Sequence, residues 1–204
     1  IRKFKPDVIV TRFPPNGLGT HGHHTASALL AVEAFNMAGD PNSFPEQLKY
    51  VQPWQPKRIF WNAWTPALNS MGINSDTLIN INFGEYNNLL SRSYTEISAE
   101  SRTMHKSQGF GASGRRENLY NYFLQLEGDS ANDNLFEGID LSWNRIKGSE
   151  NVSELLMQAE VEFDFENPSK IVPLLIQAYT ELQKLEDKNW IEIKSAELLR
   201  VIQS

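Results

Sequence analysis

Residues 8–39 decide the fold, and they read VIVTRFPPNGLGTHGHHTASALLAVEAFNMAG. The first four residues form a β-branched run, which is typical of a strand buried in a parallel sheet. A loop rich in glycine and proline follows, and from Thr25 to Ala38 apolar residues recur at helical spacing. Gly39 is the expected cap of this helix. The residues expected on its buried face are Ala28, Leu29, Val32 and Phe35.

The rest of the chain changes character along its length. Apolar runs at Arg58–Trp61 and Thr77–Ile81 predict further strands. Ser93 and Glu96 match a capping box, which predicts a helix from there to about residue 107. Further helices are predicted at residues 118–126, 152–159, 169–185 and 190–202. The sequence therefore predicts an α/β domain over residues 1–126 and a helical extension over residues 127–204.

The composition is that of a globular protein and excludes several function classes. Of 204 residues, 40% are hydrophobic, and the formal net charge is −6, so the overall basic footprint of a nucleic-acid-binding protein is absent. No apolar run approaches the roughly 18 residues of a membrane span. The chain has no cysteine, which excludes a disulfide framework, a cysteine-ligated zinc and a thiolate nucleophile. A bound metal must use His, Asp, Glu or water.

Three of the four histidines fall within His21-Gly22-His23-His24, at the start of the predicted helix. Neutral imidazole is the commonest metal ligand, and the partial positive charge of a helix N-terminus suits an oxyanion. A catalytic zinc needs three protein ligands, and the adjacent His23 and His24 cannot easily point together. One or two ligands must then come from elsewhere. The alternative is a solvated polar loop or an affinity tag, although a tag should not lie between a strand and an amphipathic helix.

This cluster, with the strand and loop before it, resembles the second motif of the PIG-L/LmbE family. That family comprises zinc-dependent N-acetylglucosaminyl deacetylases and related amidases. The resemblance covers roughly residues 1–125 and rests on a combination of short stretches. These are Val8–Thr11, Pro15–Gly17, His21–His24, Ala34–Phe35, Gly39–Pro41, Phe44–Leu48, Pro53–Arg58 and the His105-Lys106-Ser107-Gln108 segment.

The resemblance implies a fold and a set of roles. The fold would be α/β, with a partial Rossmann-like parallel sheet, flanking helices and a C-terminal helical extension. The family writes its motif His-Pro-Asp-His, so His24 would be a zinc ligand and His21 would sit beside the developing oxyanion. His23 occupies the family's Asp position, which leaves its role open. The implied cofactor is Zn²⁺.

Two further residues are candidates for binding substrate. Arg12 follows the first strand and is placed to meet a substrate oxygen, with a structural ion pair as the equal alternative. His105 belongs to a segment that looks like the family's His-x-Ser-Gln, with a half-buried structural histidine as the alternative. Trp54, Trp61 and Trp64 are more typical of core residues than of a sugar-stacking surface.

The family's first motif, His-Pro-Asp-Asp, does not occur in these residues. In the family it supplies two zinc ligands and the carboxylate base, and it lies upstream of the position where this chain begins. We therefore expect an incomplete deacetylase that acts on N-acetylated amino sugars or related amides and is inactive alone. An exposed sheet edge would favour self-association. The location is unknown, and an extracytoplasmic one is compatible with the lack of cysteine.

Two other functions remain open. One is a non-catalytic binding or scaffold protein that keeps the fold and has lost the chemistry. The other is a different hydrolase class, in which the histidines hold a metal together with Glu33 or Glu46. This last alternative predicts tight metal binding by the chain alone.

Overall fold

A computed structural model describes residues 1–18, 20–88, 90–108 and 111–203, with only the backbone of Gln108. The chain forms two compact units, Ile1–Glu137 and Gly138–Ser204. Within the described residues, no helix has the length and apolar character needed to cross a bilayer.

The described strands of unit 1, Ile1–Glu137, are β1 (Val8–Thr11), β2 (Arg58–Ala63), β3 (Ile79–Asn82), β4 (Tyr86–Asn87), β5 (Arg92–Ser93) and β6 (Tyr120–Gly128). Four of them form a mixed sheet with the strand order β1-β2-β6-β3. Strands β1 and β2 are parallel, and the pairs β2–β6 and β3–β6 are antiparallel. Strands β4 and β5 form a separate two-stranded hairpin. This mixed sheet with its helices confirms the predicted α/β class.

The helices of unit 1 are α1, α2 and α3, joined by short 3₁₀ turns. Helix α3 begins after Ser93, which accepts the Glu96 backbone N–H while the Glu96 side chain accepts the Ser93 backbone N–H. The predicted capping box is therefore confirmed. The α-helices are α1 (Gly22–Ala38), α2 (Thr65–Ser70) and α3 (Tyr94–Thr103). The 3₁₀ turns are Pro45–Lys49, Ser75–Thr77 and Lys106–Gln108.

The parallel pair β1–β2 is connected through α1, so residues 8–63 form a β-α-β unit. In its register Thr11 lies opposite Trp61, so the next residues, Arg12 and Asn62, emerge side by side. In open α/β sheets, ligands bind outside the carboxyl ends of parallel strands. The histidine loop follows β1 at this same edge.

The predicted helix at residues 118–126 is wrong, because this segment is the long strand β6. It pairs with β2 on one side and β3 on the other, so it is an inner strand of the sheet. Phe123 is buried, and it packs with Phe60 and Ile79. Aromatic residues fit such a pleated and largely buried surface, and the tertiary pairing overrides the local helical pattern.

The end of α1 at Ala38 agrees with the sequence, but the helix begins at Gly22, three residues before the predicted Thr25. Two other expected details also differ. Leu29 is 52% exposed, whereas Ala28 and Phe35 are buried, so Leu29 lies off the buried face. Gly39 follows the helix with φ −83°, which is right-handed and not the left-handed cap that glycine usually provides. The carbonyls at this helix end are bound by Arg2 instead.

Arg2 is 5% exposed and reaches the C-terminal end of α1 from the start of the chain. Its guanidinium donates to the carbonyls of Ala38 at 3.0 Å and Asp40 at 2.6 Å. It also donates to the carbonyl of Ser43 at 2.7 Å. The last carbonyls of a helix lack intrahelical partners, and this guanidinium donates to two of them, Ala38 and Met37 (3.3 Å), as well as to the turn that follows.

Unit 1 extends past the end of β6. Leu135 is buried in the same cluster as Phe60 and Phe123. The buried guanidinium of Arg58 donates to the carbonyls of Leu135 at 3.3 Å and Glu137 at 2.7 Å. The division between the units therefore lies after Glu137, later than residue 126, where the sequence placed it.

Unit 2, Gly138–Ser204, is helical, as predicted for the C-terminal part of the chain. Its α-helices are α4 (Glu150–Glu162), α5 (Val172–Leu182) and α6 (Lys188–Gln203), with 3₁₀ turns at Trp143–Arg145 and Pro168–Ile171. One buried cluster joins them, and it includes Val152 from α4, Leu182 from α5 and Leu198 from α6. Ser149, just before α4, is 1% exposed and donates to the Trp143 carbonyl at 2.6 Å.

Candidate functional site

The loop after β1 is tied to the first turns of α1. The Asn16 side chain accepts the Leu18 backbone N–H at 3.1 Å, and Gly17 adopts a φ of +74°. This left-handed conformation costs glycine less than any other residue. The hydroxyls of Thr20 and Thr25 lie 2.9 Å apart, so the end of the loop is bound to the helix.

His21 and His24 form a close pair at the N-terminus of α1. His21 occupies the N-cap position, and its carbonyl accepts the His24 backbone N–H at 2.9 Å. Their ring centroids are 4.3 Å apart, and the His24 ring stacks on Phe13 at 3.8 Å with an interplanar angle of 12°. Residues three apart share a helix face, which explains the pairing. His21 is exposed and His24 is half-buried.

His23 lies on the first turn of α1 and is exposed. Consecutive helical residues point about 100° apart, so His23 projects away from the face that carries His24. The sequence argument that adjacent histidines cannot point together agrees with this geometry. The role of His23 stays open.

Arg12 lies beside the histidine loop and binds the neighbouring strand. Its Nη1 donates to the Asn62 carbonyl at 3.3 Å, and its guanidinium carbon is 6.0 Å from the Trp64 ring centroid. Arg12 is exposed, so much of the guanidinium faces solvent. The arrangement leaves N–H donors for a substrate oxygen, because a guanidinium carries five. The assignment of Arg12 to substrate binding stays a prediction.

Two residues next to the site were not predicted from the sequence to belong to it. They are Asn62 and Trp64. Asn62 Oδ1 is buried and has no hydrogen-bond partner among the described residues. Trp64 packs edge-on against the buried Trp61, at a ring-centroid distance of 5.5 Å. The signal for both is the parallel register, which places Asn62 of β2, and Trp64 just after the strand, beside Arg12. That register is a tertiary property and cannot be derived from local patterns.

His105 lies just after α3 and is exposed. Its backbone N–H donates to the Arg102 carbonyl at 3.0 Å. In the part of the chain that the structure describes, no three His, Asp or Glu side chains come together as a metal-binding group. His105 therefore does not complete a set with His21 and His24. Its assignment to substrate binding stays a prediction.

The absence of a three-residue metal-binding group among the described residues also applies to the expected zinc site and to the alternative ligands Glu33 and Glu46. His21 and His24 provide two imidazoles, whereas a catalytic zinc site needs three protein ligands. Neither glutamate joins the two histidines in a three-residue group among the residues described. These side chains alone do not fit a complete zinc site.

Asp40 is a carboxylate near α1, but it lies at the opposite end of the helix from the histidines. Its pKa is lowered by the Asn42 backbone N–H and the Ser43 hydroxyl, which donate to it, and by nearby Arg2. These contacts hold the turn that follows α1. Asp40 is therefore a structural carboxylate and not a general base for His21.

Part of this chain is similar in sequence to two deacetylases. One similar protein is the 1D-myo-inositol 2-acetamido-2-deoxy-alpha-D-glucopyranoside deacetylase of Segniliparus rotundus, 32% identical over 77 residues. A protein of the same name from Streptomyces avermitilis is 36% identical over 62 residues. The matches cover 35% and 30% of this chain, but only 23% and 20% of those proteins.

No family model matches the chain, and no solved structure matches it significantly. The matched stretch spans less than a quarter of each curated relative. The similarity therefore links part of this chain to part of two deacetylases.

Proposed function

We propose that this chain is part of a hydrolase that removes the acetyl group from N-acetylated amino sugars or related amides. The observation that carries the proposal is the pair of His21 and His24 at the N-terminus of α1, where the parallel strands end. The partial similarity to two deacetylases supports the same reaction class. The substrate is then a small molecule with an acetamido group.

The chemistry of amide hydrolysis gives His21 its role. Water adds to the amide carbonyl, and the oxygen of the tetrahedral intermediate carries negative charge before the C–N bond breaks. His21 lies at a helix N-terminus, where the partial positive charge stabilises an anion. A protonated imidazole there can donate a hydrogen bond to the oxyanion and then give its proton to the leaving amine. The exposed Arg12 would orient the substrate through its oxygens.

The zinc ion is a further part of the proposal. His24 is the proposed ligand, and zinc, when bound, would polarise the carbonyl and supply an activated water. The remaining ligands and the base would come from polypeptide outside the described residues, because two imidazoles do not complete the site. Metal affinity depends on the assembled ligand set, so we propose that this chain alone holds zinc poorly and is inactive.

The test compares the complete product of the gene with this 204-residue chain. We expect about one zinc per molecule of the complete protein, deacetylation of N-acetylglucosamine derivatives, and neither property in the chain alone. In the complete protein, His21→Ala should lower kcat by about 10²–10³-fold while zinc stays bound. His24→Ala should lose the zinc, and His23→Ala is the matched control.

Three outcomes would contradict the proposal. Stoichiometric zinc on the chain alone would favour the alternative site with a local carboxylate such as Glu33 or Glu46. A complete protein that binds no metal and cleaves no acetamide would favour a non-catalytic scaffold. If His21→Ala and His23→Ala lost activity to the same extent, His21 would have no specific role in catalysis.

A further inference from the structure

The last turns of α4 and the segment after it carry exposed apolar side chains in unit 2. Met157 and Val161 are 64% and 85% exposed, and they share a helix face because they are four residues apart. Phe163 and Phe165 are 42% and 78% exposed, and their rings pack edge to face with centroids 5.0 Å apart. We call these four side chains the apolar patch.

The apolar patch lies outside the core of unit 2. On α4, Val152, Leu156 and Ala159 belong to the buried cluster or pack against it. Met157 and Val161 form a second apolar stripe on another side of the same helix, since consecutive helical residues point about 100° apart. A helix that packs only against its own unit needs one apolar stripe, and an exposed second stripe is typical of an interaction surface.

The sequence around the apolar patch is strongly acidic. Residues 150–169 contain six of the 25 acidic residues of the chain and none of its 19 Lys and Arg. This stretch therefore accounts for the whole formal net charge of −6. The six residues are Glu150, Glu154, Glu160, Glu162, Asp164 and Glu166. None of the ion pairs among the described residues involves them, so their negative field is not neutralised by a neighbouring cation.

The segment after α4 interleaves these charges with the phenylalanine rings. Asp164 lies between Phe163 and Phe165 in the sequence, and its Oδ1 accepts the Glu166 backbone N–H at 2.9 Å. The Asn167 backbone N–H donates to the Asp164 carbonyl at 3.1 Å, which closes a turn. The turn thus presents two aromatic rings together with carboxylates, as a surface that is apolar and negatively charged.

The charge decides which class of partner this surface suits. An anionic bilayer and a nucleic acid carry the same sign of charge as the patch, so both are repelled. Two copies that met through this patch would bring the same carboxylates face to face, and like charges opposed across an interface are costly. A polypeptide with Lys or Arg beside apolar side chains complements the patch in both respects.

We propose that the apolar patch docks a basic amphipathic helix of another protein. Such a helix would lay its apolar face on Met157, Val161 and the two phenylalanine rings, with its Lys and Arg side chains beside the surrounding carboxylates. The apolar contacts supply the affinity, and the opposite charges speed the encounter and set the orientation. This interaction goes beyond the proposed hydrolase function and does not depend on it.

The experiment measures, by fluorescence anisotropy, the binding of a fluorescein-labelled peptide to the whole chain. The peptide has about 14 residues, with leucine on one helical face and lysine on the other. We expect saturable binding that added salt weakens, and no binding when glutamate replaces every lysine or serine replaces every leucine. Phe165→Ser should weaken binding by about tenfold, and Asp164→Asn by about threefold at low salt.

Ile176→Ser is the matched control, because Ile176 is 50% exposed on α5 of the same unit and lies outside the apolar patch. The proposal is overturned if the lysine–leucine peptide does not bind, or if the lysine–serine peptide binds equally well, since charge alone would then explain binding. It is also overturned if Ile176→Ser weakens binding as much as Phe165→Ser does. Circular dichroism of each variant checks that the fold is retained.

Two further measurements test the occupants that the charge argues against. The native chain should not bind phosphatidylglycerol vesicles, and Phe165→Ser should leave its sedimentation coefficient unchanged. Vesicle binding that Phe165→Ser abolishes would assign the patch to a membrane surface and overturn the proposal. A dimer that Phe165→Ser dissociates would assign the patch to a second copy, which overturns the proposal as well.

Discussion

Arg2 shows how one side chain can end a helix that lies far from it in sequence. Its guanidinium binds the carbonyls after the last turn of α1, in addition to the Gln47 side chain at 3.2 Å. The sequence placed the helix end correctly because Gly39 and Asp40 follow it. It could not identify Arg2 as the group that binds the carbonyls, since that contact spans 36 residues.

Replacing Arg2 with methionine should therefore destabilise unit 1. The buried carbonyls lose their donors, and we expect a loss of about 2–4 kcal/mol in the free energy of unfolding. Urea denaturation followed by circular dichroism measures it. Lys3→Met is the matched control, because Lys3 is exposed, and equal effects of the two substitutions would contradict the role of Arg2.

The histidine site could be predicted only in part. The pairing of His21 with His24 follows from helical spacing, which the sequence displays. The contact of Arg12 with Asn62 depends on the register of two strands whose contacting residues are 50 positions apart. The stacking of Phe13 on His24 depends on the path of the loop. Local sequence patterns determine neither the Arg12–Asn62 contact nor the stacking of Phe13 on His24.

The sequence predicted the start of helix α3 correctly, because the capping box encodes it locally. The helix ends at Thr103, earlier than the predicted end at about residue 107. The Glu96 carboxylate accepts the Ser93 backbone N–H at 2.8 Å, which lowers the pKa of Glu96, and the hydrogen bond from Arg116 lowers it further. Strand β6 is the contrary case, since its neighbours β2 and β3 determine its conformation.

The lowered pKa of Glu96 predicts an acid-dependent loss of stability. Because its pKa is lower in the folded chain than in the unfolded one, ionised Glu96 stabilises the fold above the unfolded pKa. That contribution is lost as the pH falls through the folded pKa. The native chain should therefore lose more stability than Glu96→Gln between about pH 5 and pH 3.

Urea midpoints measured across this pH range provide the test. Glu100→Gln is the control on the same helix, since Glu100 pairs with Arg92 where both side chains are about half exposed or more. A Glu96→Gln variant whose midpoint falls with pH as steeply as that of the native chain would contradict the prediction.

At the scale of the whole molecule, the edge strand β1 is the notable feature of unit 1. Among the described strands it pairs with β2 alone, and Val10 is 47% exposed. Two copies paired antiparallel about the centre of β1 would place Asp7 of each copy opposite Arg12 of the other. Ile9 would then lie opposite Val10. Opposite charges at the two ends of a strand suit pairing between copies.

We therefore expect the chain to self-associate through β1. Sedimentation velocity over a range of concentrations should show a dimer, and Val10→Lys should shift the population to the monomer. Val161→Lys is the control, because Val161 is 85% exposed and lies in unit 2. A chain that stays monomeric at its highest soluble concentration would refute the expectation.

Strand β2 also sets the order in which the chain acquires its structure. Its partners are β1, about 50 residues earlier, and β6, about 60–70 residues later, so forming the sheet requires two long loops to close. The helices of unit 2 meet neighbours nearby in sequence. Loop closure costs entropy before distant contacts can compensate for it. When the whole chain refolds, the C-terminal helices should thus reach their native packing before the sheet does. During synthesis the order is reversed, because β6 leaves the ribosome before those helices and β2 can then be enclosed first.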